Sequence, residues 1–204
     1  MVKTQYIVIA GDSGSGKSTL VSILRTLVCN SPVLKSMIGF PIRFCSRAKR
    51  DAEDQTETIN LDKVEFQQLI DKGDIGIWWE RDLTVAWSTN HLYGFENNER
   101  PIQVLSANNA FFSMPKIRLA KILHTAKVVY LRSSTEVKKQ RLITRSPEIG
   151  ELETHARLVE NNSYAIAHAD IIIDNEQNRI DQLLQSAFTV LNNFALINEL
   201  QIKL

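Results

Sequence analysis

Lysine and hydroxyl side chains set among glycines are suited to gripping phosphate. This chain carries such a run near its start: Gly11, Asp12, Ser13, Gly14, Ser15, Gly16, Lys17, Ser18 and Thr19. The spacing fits G-x-x-x-x-G-K-[ST], in which glycines free the backbone to turn its N–H groups toward an anion. Lys17 can then reach the terminal phosphates of a nucleotide, and Ser18 can offer its hydroxyl to Mg²⁺. The chemistry implied is the handling of a nucleoside triphosphate.

Such a loop works only between a buried strand and the start of a helix. Tyr6, Ile7, Val8, Ile9 and Ala10 form a short apolar, β-rich run ahead of it. Behind it Leu20, Ile23, Leu24 and Leu27 recur at helical spacing, predicting a helix over 18–28. Strand, turn and helix amino terminus aim N–H groups and a positive dipole end at one spot. Further along, Asn30-Ser31-Pro32 reads as a helix stop and loop, and 42–45 as a second strand. A helix is predicted over 63–72, capped by Asp62 with Glu65 completing a capping box, and closed by Gly73. Residues 75–87 read as one or two strands of a small lobe, and 102–105 as a return to the main sheet. A helix over 111–124, a buried strand over 127–131, helices over 134–144 and 152–168, a strand over 171–173 and a final helix from 179 complete the pattern. Strands alternating with helices predict an α/β fold: a three-layer sandwich around a mostly parallel sheet.

The 204 residues suit one domain with small inserted lobes. Against 24 Lys and Arg stand 23 Asp and Glu, so no broad field argues for nucleic acid or a membrane surface. Cys29 and Cys45 lack metal-ligand spacing, no apolar run approaches a membrane span, and the first strand begins almost at once. The expectation is a reduced, soluble, cytoplasmic protein.

The loop alone does not separate kinases, regulatory GTPases and motor ATPases. A GTPase should carry D-x-x-G and N-K-x-D, and neither is present. A motor ATPase needs a strand ending in an acidic residue, whereas the strands at 102–106 and 128–132 end in Ser106 and Arg132. Other segments fit a different pattern. Arg141-Leu142-Ile143-Thr144-Arg145 with Arg157-Leu158 resembles the R-L-x-x-R…R-L lid of the guanylate kinase family. Ser46-Arg47-Ala48-Lys49-Arg50-Asp51-Ala52-Glu53 resembles its acceptor-phosphate segment, and Ile77-Trp78-Trp79 falls at its apolar-E-W run. Asp170 to Asn175 resembles the strand and turn that border adenine. The resemblance spans about residues 4–190 in the family's order.

That resemblance implies a single domain with a core at 1–45, 101–140 and 168–204, an acceptor lobe at 46–100 and a lid at 141–167. It implies ATP as donor with Mg²⁺ on Ser18, and Lys17 with Arg141, Arg145 and Arg157 around the transferring phosphoryl. Asn175 would border the adenine. Arg47 and Arg50 would hold an acceptor phosphate, Trp78, Trp87 and Asn108 would line its pocket, and Glu53, Glu57 or Glu80 would orient a hydroxyl or a metal-bound water. The departures lie on the acceptor side. The family's guanine-reading glutamate falls on Trp78, a phosphate-binding tyrosine near Thr58, a Tyr-Gly pair near Trp87-Ser88, and an acidic strand end on Ser106-Ala107-Asn108. Losing a carboxylate that pairs with a purine's N–H groups removes selectivity for that base.

The acceptor expected is therefore a small phosphorylated molecule other than GMP. Thr58-Ile59-Asn60-Leu61 and Ser106 to Ala110 are similar to stretches of the ribose 1,5-bisphosphate phosphokinase family. Thr58 stands there for a histidine and Asn109 for an arginine. Two other functions stay open: a guanylate kinase with a rebuilt base pocket, and an interaction module gripping a protein in the acceptor cleft. Such modules typically lack the loop lysine, which is intact here. The apolar tail over 188–204 reads either as cover for the sheet or as a surface for a second copy of the chain.

Overall fold

The computed structural model describes residues 4–47, 58–81, 90–145, 158, 162–176 and 179–193. β1 (Gln5–Gly11) runs into the phosphate loop and α1 (Lys17–Cys29) leaves it. α2 (Pro32–Met37), β2 (Ile38–Gly39), β3 (Arg43–Cys45), β4 (Thr58–Asn60), α3 (Lys63–Lys72), β5 (Ile75–Arg81) and β6 (His91–Glu96) follow. The chain continues through β7 (Ile102–Ser106), a 3-10 turn (Asn109–Ser113), α4 (Lys116–Leu123), β8 (Ala126–Arg132) and α5 (Thr135–Arg145). It closes with α6 (Ser163–Ala167), β9 (Ile171–Asp174) and α7 (Ile180–Asn193).

Five strands form a parallel central sheet in the order β2-β7-β1-β8-β9. β1 lies in the middle and alternates between two apolar layers. Ile7 and Ile9 join Leu20, Leu24, Leu183 and Leu191 under α1 and α7. Val8 and Ala10 face the other way, onto Tyr130, Phe111, Leu119 and Trp79. Period-two alternation thus buries both faces of one strand. This is the α/β sandwich expected, and it puts the phosphate loop at the carboxyl end of the central strand, where open α/β sheets bind ligands.

A second sheet, order β4-β3-β6-β5, packs its aromatic face on the second of these layers. The strand predicted at 42–45 exists, but it pairs with β4 and β6 and not with the central sheet. Other boundaries also differ for local reasons. Ser31-Pro32 starts a helix instead of a loop: the Ser31 hydroxyl accepts from Leu34 N at 3.3 Å, and Pro32 occupies the first turn, where no N–H is needed. The predicted helix over 111–124 is two elements, because Pro115 stands at the head of α4 and the 3-10 turn precedes it. The capping box on α3 is present in both directions, with Gly73 closing the helix at positive φ. Of the helix predicted over 152–168, only Leu158 and 162–168 are described, and α6 covers Ser163–Ala167. Among the described residues no helix is long and apolar enough to cross a membrane.

Candidate active site

The phosphate loop owes its shape to glycines that no other residue could replace. Gly11 has φ 145°, and a Cβ there would lie 2.5 Å from the Leu131 carbonyl oxygen. Gly16 has φ 99°, caps α1 in a left-handed conformation, and a Cβ on it would strike the Asn175 amide. No side chain caps α1, so its first N–H groups face the loop. Lys17 Nζ donates to the carbonyls of Gly11 (2.7 Å) and Asp12 (2.6 Å), closing the loop on itself.

The neighbouring elements grip this loop from outside. Asn175, at the turn after β9, donates from Nδ2 to the Ser15 carbonyl at 2.8 Å. Arg141, two turns into α5, donates to the carbonyls of Gly14 (3.1 Å) and Asn175 (2.9 Å) and to Ser133 Oγ (3.0 Å). Burial lowers the Arg141 pKa from its ordinary value, partly offset by Glu176. Ser15 Oγ, Asn175 Oδ1 and Arg141 Nε are buried and have no hydrogen-bond partner among the described residues. Orphaned polar atoms around one loop are what a ligand-binding surface leaves behind when built for more contacts than the chain supplies.

Loop and helix open onto a cleft of 340 Å³. Ser13, Gly14, Gly16, Lys17, Ser18 and Thr19 form one wall. Across from them stand Arg43 of β3, Arg47 just beyond it, Arg81 of β5, Tyr93 of β6, and Ser106 and Asn108 at the end of β7. Arg141, Leu142, Asn175, Ile180 and Leu183 close the third side. Five cationic side chains and no carboxylate line the cleft among the described residues. An anion entering it meets charge, N–H donors and hydroxyls together. For a divalent ion the donor set is spare. No group of three His, Cys, Asp or Glu among the described residues could hold a metal, so Mg²⁺ would rest on Ser18, phosphate oxygens and water, a set that suits this ion.

Of the residues predicted for the acceptor, Arg47 and Asn108 line the cleft and Trp78 and Glu80 do not. Along β5 the buried positions are Ile75, Trp79 and Arg81, and Glu80 is exposed. Trp78 lies on the outer face, with the Arg118 guanidinium 4.2 Å from its ring centroid and donating to its carbonyl at 2.9 Å. Trp79 instead enters the core among Tyr93, Phe95 and Phe111, and its indole N–H donates to Asn108 Oδ1 at 2.9 Å. The tryptophan at the site acts by holding Asn108 in place. Arg43, Arg81 and Tyr93 are cleft residues that the motifs miss. Arg81 shares the inward phase of Ile77 and Trp79 along β5, a phase that the composition of the strand does not reveal. Arg50, Glu53, Glu57, Trp87 and Arg157 lie outside the described residues, as does the side chain of Arg145 at the end of α5.

Guanylate kinase from Anaplasma phagocytophilum superposes on this chain with a TM-score of 0.56 at 16% identity, over 100% of this chain and 90% of that one. The likeness is one of fold. Weaker superpositions are found with shikimate kinase from Acinetobacter baumannii in complex with shikimate (TM-score 0.48, 15% identity, 98% of this chain and 97% of that one) and with TT1252 from Thermus thermophilus (0.47, 17%, 98% and 100%). No protein-family model and no curated protein matches the sequence.

Proposed function

We propose that the chain is an ATP- and Mg²⁺-dependent phosphotransferase acting on a small phosphorylated acceptor. The observation that carries this is the phosphate loop opening onto a cleft lined by Lys17, Arg43, Arg47, Arg81 and Arg141. Phosphoryl transfer needs donor and acceptor held in line and the charge of the moving group neutralised, with little covalent work by the protein. The loop N–H groups from Ser13 to Ser18 and the ammonium of Lys17 would hold the donor phosphates. Ser18 would ligate Mg²⁺, which supplies charge neutralisation on the phosphate oxygens when bound. Leu142, Ile180 and Leu183 offer apolar surface beside Asn175 for the base. Arg141 supports the loop from outside through Gly14. On the far wall, Arg43, Arg47 and Arg81 would bind the acceptor's anionic groups with planar forks of donors.

Ribose 1,5-bisphosphate is the acceptor that fits best: it has phosphate at both ends and no base to read. The cleft offers arginines on β3, just beyond it and on β5, and, among its described residues, no carboxylate to pair with a purine's N–H groups. The test is coupled ADP release scanned over sugar bisphosphates and nucleoside monophosphates. Turnover with ribose 1,5-bisphosphate well above that with GMP is expected. A reversed order would make the chain a guanylate kinase, and no ADP release with any of these acceptors would remove the enzyme reading in favour of a binding module.

A further inference from the structure

Behind the loop, outside the cleft, lies a polar cluster that the phosphate chemistry does not require. Asp12 is 3% exposed, and its carboxylate is held from four separate elements. Oδ1 accepts from Asn109 Nδ2 of the 3-10 turn (2.8 Å) and from the Tyr130 hydroxyl of β8 (3.1 Å). Oδ2 accepts from Lys138 Nζ of α5 at 2.5 Å, and the Asn162 amide ahead of α6 reaches both oxygens at 3.4 Å. Lys138 is itself buried, its side chain 7% exposed. Burial alone would raise the Asp12 pKa, but the hydrogen bonds from Lys138 and Asn109, the Lys138 charge and the Tyr130 hydroxyl outweigh it and keep the group ionised.

A buried ion pair is poor value as a source of stability, since removing two charges from water offsets most of their attraction. Its use here is geometric. The same residue's carbonyl accepts from Lys17 Nζ and from Ser15 N, so clamping the carboxylate fixes the peptide that sets both the loop's turn and the seat of Lys17. α5 grips the loop twice, through Lys138 on Asp12 and, one turn on, through Arg141 on Gly14.

We propose that Asp12 is the positioning residue of the phosphate loop, holding Lys17 in register through its own peptide and fixing the loop to α5 through Lys138. This rests on the loop binding a nucleotide's phosphates, as proposed above. The test compares binding of Mg·ATP by calorimetry with binding of adenosine by NMR titration, using the full chain. Asp12→Asn leaves Lys138 without its counter-charge and should weaken Mg·ATP by about tenfold, the scale seen when the supporting partner of a ligating group is lost. Adenosine, which never reaches the loop, should bind within about twofold of wild type, whereas general damage to the fold would weaken both. Asp12→Asn with Lys138→Gln, a neutral pair able to hydrogen-bond, should recover most of the Mg·ATP affinity. Should Asp12→Asn not fold, Tyr130→Phe removes one bond to Oδ1 without stranding a charge, and the same selective loss is expected at smaller size. Parallel loss of ATP and adenosine, or no loss of either, overturns the assignment of Asp12. A wild-type chain that binds no ATP overturns the nucleotide reading itself, and this inference falls with it.

Discussion

The two walls of the cleft are built in opposite ways. The wall proposed for the donor is one continuous stretch, Gly11 to Thr19, whose shape is dictated by glycines at positive φ and by the helix that follows. The wall proposed for the acceptor is assembled from β3, β5, β6 and the end of β7, and no two of its strands are adjacent in sequence within the second sheet except β5 and β6. On the first wall, a residue's identity and its neighbours decide where it points. On the second, position depends on strand pairing and on which face of each strand meets the core. Chemistry encoded locally can be read from spacing, and chemistry encoded by register cannot.

The largest expected effect tests the donor wall. Lys17→Ala should lower turnover by about 10²–10³-fold, the range for losing one charged or hydrogen-bonding contact to a developing charge. Two of its Nζ contacts are to the loop's own carbonyls and it takes no part in the two apolar layers, so the thermal midpoint should stay close to that of wild type. Full activity in a folded Lys17→Ala protein would mean that the loop is not the donor site.

The acceptor wall should respond differently. Arg81 is 5% exposed and faces the cleft. Arg81→Met keeps the length and apolar stem but removes the charged donors, a loss of about 1.5–3 kcal/mol if they bind an anion. The acceptor's KM should rise by roughly 10- to 100-fold, while the KM for ATP stays within about twofold. Equal rises in both constants would show that Arg81 shapes the whole cleft, and the division into two walls would dissolve.

How much of this was legible in the sequence follows the same division. β1, the loop, α1 and the capping box on α3 were readable because each is set by residues within one or two turns of one another. β6 was not. It is short, and Gly94 in its middle reads as a break, yet a Cβ at that glycine would lie 2.7 Å from Ile75 Cγ2. The glycine is there because β5 passes close, a fact about pairing and not about propensity. α2 was hidden for a simpler reason: Ser31-Pro32 is equally good chemistry for ending one helix and for starting the next. The Asp12 cluster was beyond reach, since Asn109, Tyr130, Lys138 and Asn162 meet only once the sheet and α5 are in place.

β5 is where the two kinds of encoding collide, and it supports the finest prediction. In Ile77-Trp78-Trp79 all three residues are apolar, and Glu80-Arg81 are both charged, so neither half of the strand reveals its phase by composition. The sequence reading puts Trp78 and Glu80 at the site, whereas packing puts Arg81 in the cleft and turns Trp79 into the core behind Asn108. What settles the matter physically is that Trp79 finds both an aromatic nest and a partner for its N–H in Asn108, while Trp78 is covered by Arg118. Glu80→Gln and Trp78→Phe should therefore leave the acceptor's KM within about twofold of wild type, as expected of substitutions away from a binding surface. Either one matching the loss in Arg81→Met would reverse the phase of the strand, and with it the list of residues that face the acceptor.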